Sequence, residues 1–501
     1  QAGVDFQSAY DLAERTGDRA DQARILNDLS YLRYLRGDFD GMMTFAQQAL
    51  DVAAVSGLSS EIAAALFNKA TALRNTGHYR QAIERYEHAA VIYEKLDDQA
   101  RLADCLNRLG GATIFTGDYA KARSAMERAL TICRRLDDRQ GVSYVLINLA
   151  AVYYYQGQFV LARDAAQEAL DVARATGEPS AEWFALGNLG QPMLEQGFPA
   201  QAIPLFQRAL RMAQEVGDRS SSPEALYQLG RAHFFLGHLE QAQEALEQAL
   251  GMAGDSLAQQ IPLIHAYLAQ VYQAAGRETE ALNHARAGLQ AAQELGELWT
   301  LGLTHRVMGE VAARIGEETA TAPSHHFEES VRILRQIGAA AELARSLAAY
   351  GLYLGRSSTA PVALRRSRAL LDEARSSFQN LEMAWDLARL DEAIEACLPP
   401  GQISVRLPDS SAPIGRPLRE GEMVTVTWTV DAPEDQIISD KVARRHLQLL
   451  RLLREAADQS AAPTVPDLAQ ALGVSARTIE RDLAALRAAG HEVHTRGSRS
   501  H

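Results

Sequence analysis

Three cysteines in 501 residues are too few, and Cys105, Cys133 and Cys397 too scattered, for a disulfide framework or a zinc site. They read as buried thiols in a reducing cytoplasm. No apolar run approaches the ~18–20 residues that span a bilayer, so no membrane partner is implied. No secretory signal opens the chain. It starts at Gln1 without a methionine, so a cut, with more protein upstream, is expected. Phosphate-binding glycine loops, metal-ligand clusters and nucleophile motifs are missing too. That argues against an enzyme and implies neither cofactor nor metal.

What is present is periodic. Glycines recur at Gly37, Gly77, Gly117, Gly157, Gly197, Gly237, Gly276 and Gly316, a period of 40 that slips once to 39. Seven residues before each glycine stands a small residue: Ser30, Ala70, Gly110, Ala150, Gly190, Gly230, Ala269 and Gly309. Alanine dominates five and twelve residues after it, as at Ala82, Ala122 and Ala162, and at Ala49, Ala89 and Ala129. Apolar residues fall at helical spacing on both sides, as Leu102, Leu106, Leu109 and Ile114 do before Gly117. Each glycine is expected to end a first helix in the left-handed conformation. A second break then closes the repeat: Gly57, Asp97-Asp98, Asp137-Asp138, Gly177, Gly217, Gly254-Asp255 and Gly296. A fixed period of this length means a solenoid.

This pattern resembles the tetratricopeptide repeat over residues 1–396, in a 40-residue version similar to the sensor domains of bacterial signalling ATPases of the maltose-activator class and to Rap-like peptide receptors. The resemblance implies an all-α superhelical solenoid whose first helices line a concave groove. Arg24, Asn27, Tyr31, Asn68, Arg74, Arg108, Tyr144, Asn148, Tyr154, Phe184, Asn188, Gln191, Tyr227, Gln228 and Arg231 are the groove candidates. Asparagines can pair with an extended backbone and aromatics can hold apolar groups, so a peptide, protein or small-molecule effector is expected. A solvated helix face is the alternative. His265 and His305 share a column with Leu106, Leu146, Leu186 and Leu226, which marks a packing position. His325-His326 belongs to the insertion that begins with Thr319–Ser324 and reads as a flexible loop, with a metal site as the alternative.

Residues 397–438 read as a junction. Pro399-Pro400-Gly401 ends the helices. Ile403, Val405 and Leu407, then Val424, Val426, Trp428 and Val430, alternate with polar residues and predict two strands around a loop, Asp409 to Gly421. A lone ribbon is marginal in water, so it should pack on the last repeat or on the C-terminal helices.

Residues 439–496 read as three helices. Ser439 is expected to cap the first, with Val442, Leu449, Leu450 and Leu453 inward. Thr464 and Asp467 form a near capping box around Pro466, and Ser475 caps the third helix, whose apolar face is Ile479, Leu483 and Leu486. Net charge is −13 for the chain, and residues 440–496 hold nine basic and seven acidic residues, so the basic balance lies at this end. The run Val474-Ser475-x-Arg477-Thr478-Ile479-x-Arg481-Asp482-Leu483 resembles the winged helix-turn-helix of DeoR and WYL-type bacterial regulators. That resemblance implies double-stranded DNA as partner and homodimerisation as the family habit. It places Arg477 and Thr478 in the major groove and Ser475 and Arg481 on phosphate or sugar, with Arg487 on the same face. Asp482 would brace a basic neighbour. Glu480 departs from the pattern by standing where a basic residue is common. The wing is reduced to one strand over His491–Arg496. Residues 497–501 resemble the remnant of a C-terminal polyhistidine tag. The expected function is a cytoplasmic transcription regulator, with an interaction scaffold as the alternative.

Overall fold

The computed structural model describes residues 13–215, 222–253, 259–316, 322–358, 360–397, 402–413 and 416–496. Gln1, the breaks at Gly217 and Gly254-Asp255, Thr319–Thr321 of the insertion, Pro399–Gly401, the Cys397 side chain and the 497–501 tail lie outside them. Two compact units result. One spans Gln1–Ala349 with Leu381–Trp385, the other Tyr350–Asn380 with Asp386–His501. The division falls earlier than the expected boundary at 396. Among the described residues no helix is long and apolar enough to cross a membrane.

The first unit is a helical solenoid of antiparallel pairs, such as Gln99–Phe115 with Tyr119–Arg135 and Arg139–Tyr155 with Phe159–Thr176. All eight periodic glycines have positive φ, between 67° and 89°, so each supplies the left-handed residue that turns the chain between paired helices. At the breaks between repeats, paired aspartates act in turn. Asp97 and Asp137 adopt φ 53°, and Asp98 and Asp138 then cap the next helix by accepting from Arg101 N (3.1 Å) and Gly141 N (2.9 Å). The small column explains the close packing within pairs. A Cβ on Gly110 would meet Met126 at 2.8 Å, and one on Gly190 would meet Phe206 at 2.5 Å. Where the column holds Ser30, its hydroxyl donates to the Met42 carbonyl at 2.8 Å.

Within this unit the solenoid returns on itself. Gly117 packs against Ile337, Gly157 against Leu381 and Ala340, and Gly197 against Trp385. The Trp385 indole stacks on Phe235 at 4.2 Å and donates to its carbonyl at 2.9 Å, 150 residues away in sequence. His325 and His326 depart from the loop expectation. They belong to helix Pro323–Ile337, because Pro323 supplies a favoured first-turn residue, and His326 is buried.

In the second unit, strands Gln402–Pro408 and Met423–Thr429 pair antiparallel, with Ile403 opposite Trp428, Val405 opposite Val426 and Leu407 opposite Val424. That apolar face joins Leu449, Leu452, Leu468, Ile479, Leu483 and Leu486 in one core, and the Trp428 indole donates to the Leu452 carbonyl at 2.8 Å. The polar face meets helix Pro361–Asn380, where Arg375 reaches Thr425 and Arg368 reaches Thr427 (3.3 and 3.4 Å). The outer edge of the second strand is covered by side chains: Gln459 exchanges two 3.0 Å bonds with Thr427, and Glu455 accepts from Thr429 N. These contacts satisfy groups that would otherwise template another strand.

Three expectations are corrected here. The cap of helix Lys441–Asp458 is Asp440, not Ser439; its carboxylate accepts from Val442 N at 2.8 Å. Val442, in the helix's first turn, is exposed, and Leu452 is buried beside Leu449, with Leu450 and Leu453 partly buried. Residues 491–496 form no strand. With no partner strand alongside, this segment is tied down by the buried Val493 and by Arg496, whose N–H donates to the Pro463 carbonyl at 2.8 Å.

Candidate functional sites: a solenoid depression and an exposed helix

The first candidate lies on the early repeats. Asn27, Asp28, Tyr31, Phe67, Asn68, Arg101 and Asp104 line an open depression of about 390 Å³. Three expected groove residues, Asn27, Tyr31 and Asn68, meet there. Tyr31 is 52% exposed and stacks on Tyr34, offering a free aromatic face. Arg108 lies over the Phe67 ring at 5.7 Å and bonds Asp104 at 3.3 Å. Burial raises the Asp28 carboxyl, and the nearby Glu61 raises it further, against Arg24 and Arg101. A depression with that balance suits a ligand presenting hydrogen-bond donors beside an apolar or ring group. Asp104 and Arg101 were not among the expected residues; the signal was Asp104 one turn before Arg108 on the same helix.

The asparagines do more than face the groove. Asn27 donates to Glu61, Asn68 to the Asn27 carbonyl (3.1 Å), Asn148 to the Asn107 side chain (2.9 Å) and Asn188 to the Ile147 carbonyl (2.7 Å). The last three bonds each bridge 41 residues, so the column is a ladder that stitches successive first helices. Arg24 is exposed and pairs with Asp21 at 3.1 Å. Phe184 is 41% exposed beside Trp183. Arg74, Tyr144 and Gln191 are half-buried.

Tyr154, Tyr227, Gln228 and Arg231 depart from the groove expectation: all four are buried. Glu195 draws them inward. It accepts from Tyr154 at 2.7 Å and from Arg231 and Arg345, and Arg231 stands over the rings of Tyr227 (5.6 Å) and Tyr267 (5.1 Å). Arg306 continues the network to Glu342 (2.5 Å) and Glu310 (3.0 Å). Burial alone would raise the Glu195 carboxyl, but Arg345 and Arg231 outweigh it and hold it down to about 2. The signal missed was Glu195 itself, two residues before its glycine, the one carboxylate in a column that otherwise holds Leu35, Asn75, Phe115, Tyr155, Phe235, Ala274 and Arg314.

The second candidate is the pair of helices Val465–Ala471 and Ala476–Ala488, joined through Gly473 at φ 62°. Thr464 and Asp467 form the capping box, each accepting the other's backbone N–H. Ser475 accepts from Thr478 N at 3.2 Å, and the two hydroxyls bond at 2.9 Å. Ile479, Leu483 and Leu486 are buried, while Arg477 and Arg481 point to solvent. Thr478 is half-buried, and Arg487, though exposed, donates to the Val493 carbonyl at 3.3 Å. Asp482 is buried and accepts from Arg445, with His446 and Arg481 at 3.6 and 3.7 Å. Burial would raise its carboxyl; the Arg445 bond outweighs that and keeps it low.

Comparison with known proteins bears on both regions. A tetratricopeptide-repeat family model matches residues 61–135, 101–175 and 184–255. A second model, described as a protein of unknown function (DUF1670), matches residues 390–500. No curated protein sequence matches the chain. A Rap protein solved in complex with competence and sporulation factor is similar in fold, with TM-score 0.50 and 14% identity over 75% of this chain and 99% of its own. Lesser likenesses include a signal transduction ATPase with numerous domains and a tetratricopeptide repeat sensor from Pyrococcus horikoshii, at 18% identity and TM-score 0.43, covering 66% of this chain and 50% of that one. Another is aspartyl phosphate phosphatase F from Bacillus subtilis, at 14% identity and TM-score 0.44, covering 72% and 94%. Together the matches to the tetratricopeptide-repeat model span residues 61–175 and 184–255, so these segments are similar to tetratricopeptide repeats.

Proposed function

We propose that the chain is a transcription regulator whose solenoid binds an effector and whose helix Ala476–Ala488 enters the major groove of double-stranded DNA. The observation that carries the reading is the solvent face of that helix. It bears Arg477 and Arg481, while its cap, its apolar side and the Asp482–Arg445 pair fix its orientation. On this reading Arg477 reads a guanine edge, and Arg481 and Ser475 hold phosphate. The solenoid depression around Tyr31, Asn68 and Asp104 is the effector site, for a peptide, a protein or a small molecule. The fold likeness to a Rap protein solved with competence and sporulation factor supports a ligand-binding solenoid. Cytoplasmic location and action as a homodimer on a palindromic operator belong to the same proposal.

The test is recovery of sheared host DNA by the protein at two salt concentrations, alongside the Arg477→Ala/Arg481→Ala double variant. The expected result is one enriched sequence motif, weakened by salt and lost in the variant. DNA recovery indifferent to both arginines would reject it. The second reading, a protein-interaction scaffold, draws on the missing wing strand at 491–496 and on Glu480 in the exposed face. It would gain if the double variant bound DNA no differently from the parent.

A further inference from the structure

Glu297 is a buried carboxyl at the place where the solenoid returns on itself. It comes after the break at Gly296 and stands immediately before helix Leu298–Ile315. The neighbouring Trp299 ring sits edge-on to Tyr155 at 5.3 Å, Tyr155 stacks on Tyr119 at 5.8 Å, and a Cβ on Gly77 would touch the Leu295 carbonyl at 3.7 Å. Segment Leu295–Trp299 thus closes onto repeats that lie well over a hundred residues earlier in the chain. Glu297 is 4% exposed, and among the described residues its carboxyl makes one hydrogen bond, accepting from the Thr300 hydroxyl at 2.5 Å. Tyr79, Tyr119 and Tyr155 face it electrostatically. The Tyr119 hydroxyl is buried without a hydrogen-bond partner among the described residues. The charges next to those tyrosines are Arg74, Glu224 and Arg231, and none of them forms an ion pair with Glu297 among the described residues. An ionised carboxylate in that setting lacks both water and a cation, the costliest way to bury a charge.

We propose that the protonation state of Glu297 governs this closure: the neutral acid holds Leu295–Trp299 against the tyrosines of the early repeats, and ionisation releases it. Proton loss leaves one negative charge that the closed seam cannot compensate and that water can. Burial pushes the Glu297 carboxyl up to about 7, with the Thr300 bond pulling the other way. Closed, the group holds its proton more tightly than when open. Closure is therefore strongest at acid pH, weakens as pH rises from the ordinary carboxylate range toward 7, and levels off above. His265 and His305 of the same unit act in the opposite sense, losing stability as pH falls, so the two effects separate by sign. This device does not depend on what either proposed site binds.

The test is hydrogen exchange of backbone amides in residues 295–303 of the full chain, corrected for intrinsic rate, from about pH 5.5 to 8, on the parent and on Glu297→Gln. In the parent, opening should increase by about tenfold or more and level off near neutrality. In Glu297→Gln, protection should stay high and flat. A parent segment whose protection ignores pH would overturn the proposal, whether or not the variant folds. So would a Glu297→Gln protein that keeps the parent's transition.

Discussion

Glu195 and Arg345 lie 150 residues apart and form a 2.5 Å ion pair with both side chains withdrawn from water. The pair ties the first helix of one repeat to helix Ala340–Ser357, and Arg231 and Tyr154 complete the carboxylate's shell. Replacing such a pair by apolar residues is often harmless, but removing one partner strands the other. Arg345→Met should therefore destabilise the solenoid by about 3 kcal/mol. Urea unfolding followed by far-ultraviolet dichroism measures it. A loss under about 0.5 kcal/mol would mean that Arg231 alone satisfies Glu195.

The asparagine ladder makes a smaller, distributed claim. Asn188 donates to the Ile147 carbonyl at 2.7 Å and Asn148 to Asn107 at 2.9 Å, so each joins neighbouring repeats. Asn188→Ala and Asn148→Ala should each cost about 1 kcal/mol, and the double variant more than either, with coupling because Asn188 bonds the residue next to Asn148. Denaturant midpoints of the single and double variants check this. A double variant no less stable than the singles would show that the ladder does not stitch the repeats.

The repeat was legible because it is local and periodic: glycine at a fixed turn, a small residue where helices touch, aspartates at a break. The capping residues Thr464 and Ser475 and the alternation of the two strands were legible for the same reason. What the sequence could not give was closure. Gly117 meeting Ile337 and Gly157 meeting Leu381 depend on how small rotations accumulate along the solenoid, which no window of forty residues contains. Tyr154 and Arg231 thus looked like groove residues and proved to be interior ones. The column that suggested a peptide-binding face was polar for a different reason in part, since Asn68 and Asn188 bond their own neighbours. Asp104 and Glu195 escaped notice because each is a single charged residue whose meaning comes from a partner in another helix.

His305 and His326 bring their Nδ1 atoms to 3.1 Å, both rings buried. Burial lowers the His305 imidazole to about 4, His326 and His325 push it the same way, and Glu329 opposes them. A folded value below the ordinary 6.5 means that the unfolded chain takes up the proton first. Stability from this group is present above about 6.5 and falls as pH drops toward 4, by up to about 3 kcal/mol. His305→Gln should flatten that part of the profile while leaving the similar fall due to the His265–His284 pair, whose Nδ1 atoms stand 2.8 Å apart. Thermal midpoints from about pH 4 to 7.5 on both proteins give the comparison. Parallel profiles would remove His305 from the acid response.

Asp482 and Arg481 are sequence neighbours with opposite expected behaviour. Arg481 is exposed, and Arg481→Ala should change stability by less than about 0.5 kcal/mol. Asp482 is 1% exposed and accepts from Arg445 on helix Lys441–Asp458. Asp482→Ala leaves that arginine without its partner and should cost the second unit about 2–4 kcal/mol. Because Asp482 also anchors the helix that displays Arg477, its loss should weaken DNA recovery through disorder of the helix rather than through a lost contact. Stabilising osmolytes would then restore binding in Asp482→Ala but not in Arg477→Ala/Arg481→Ala. Failure of both variants to respond would place Asp482 at the DNA surface itself, contrary to its burial.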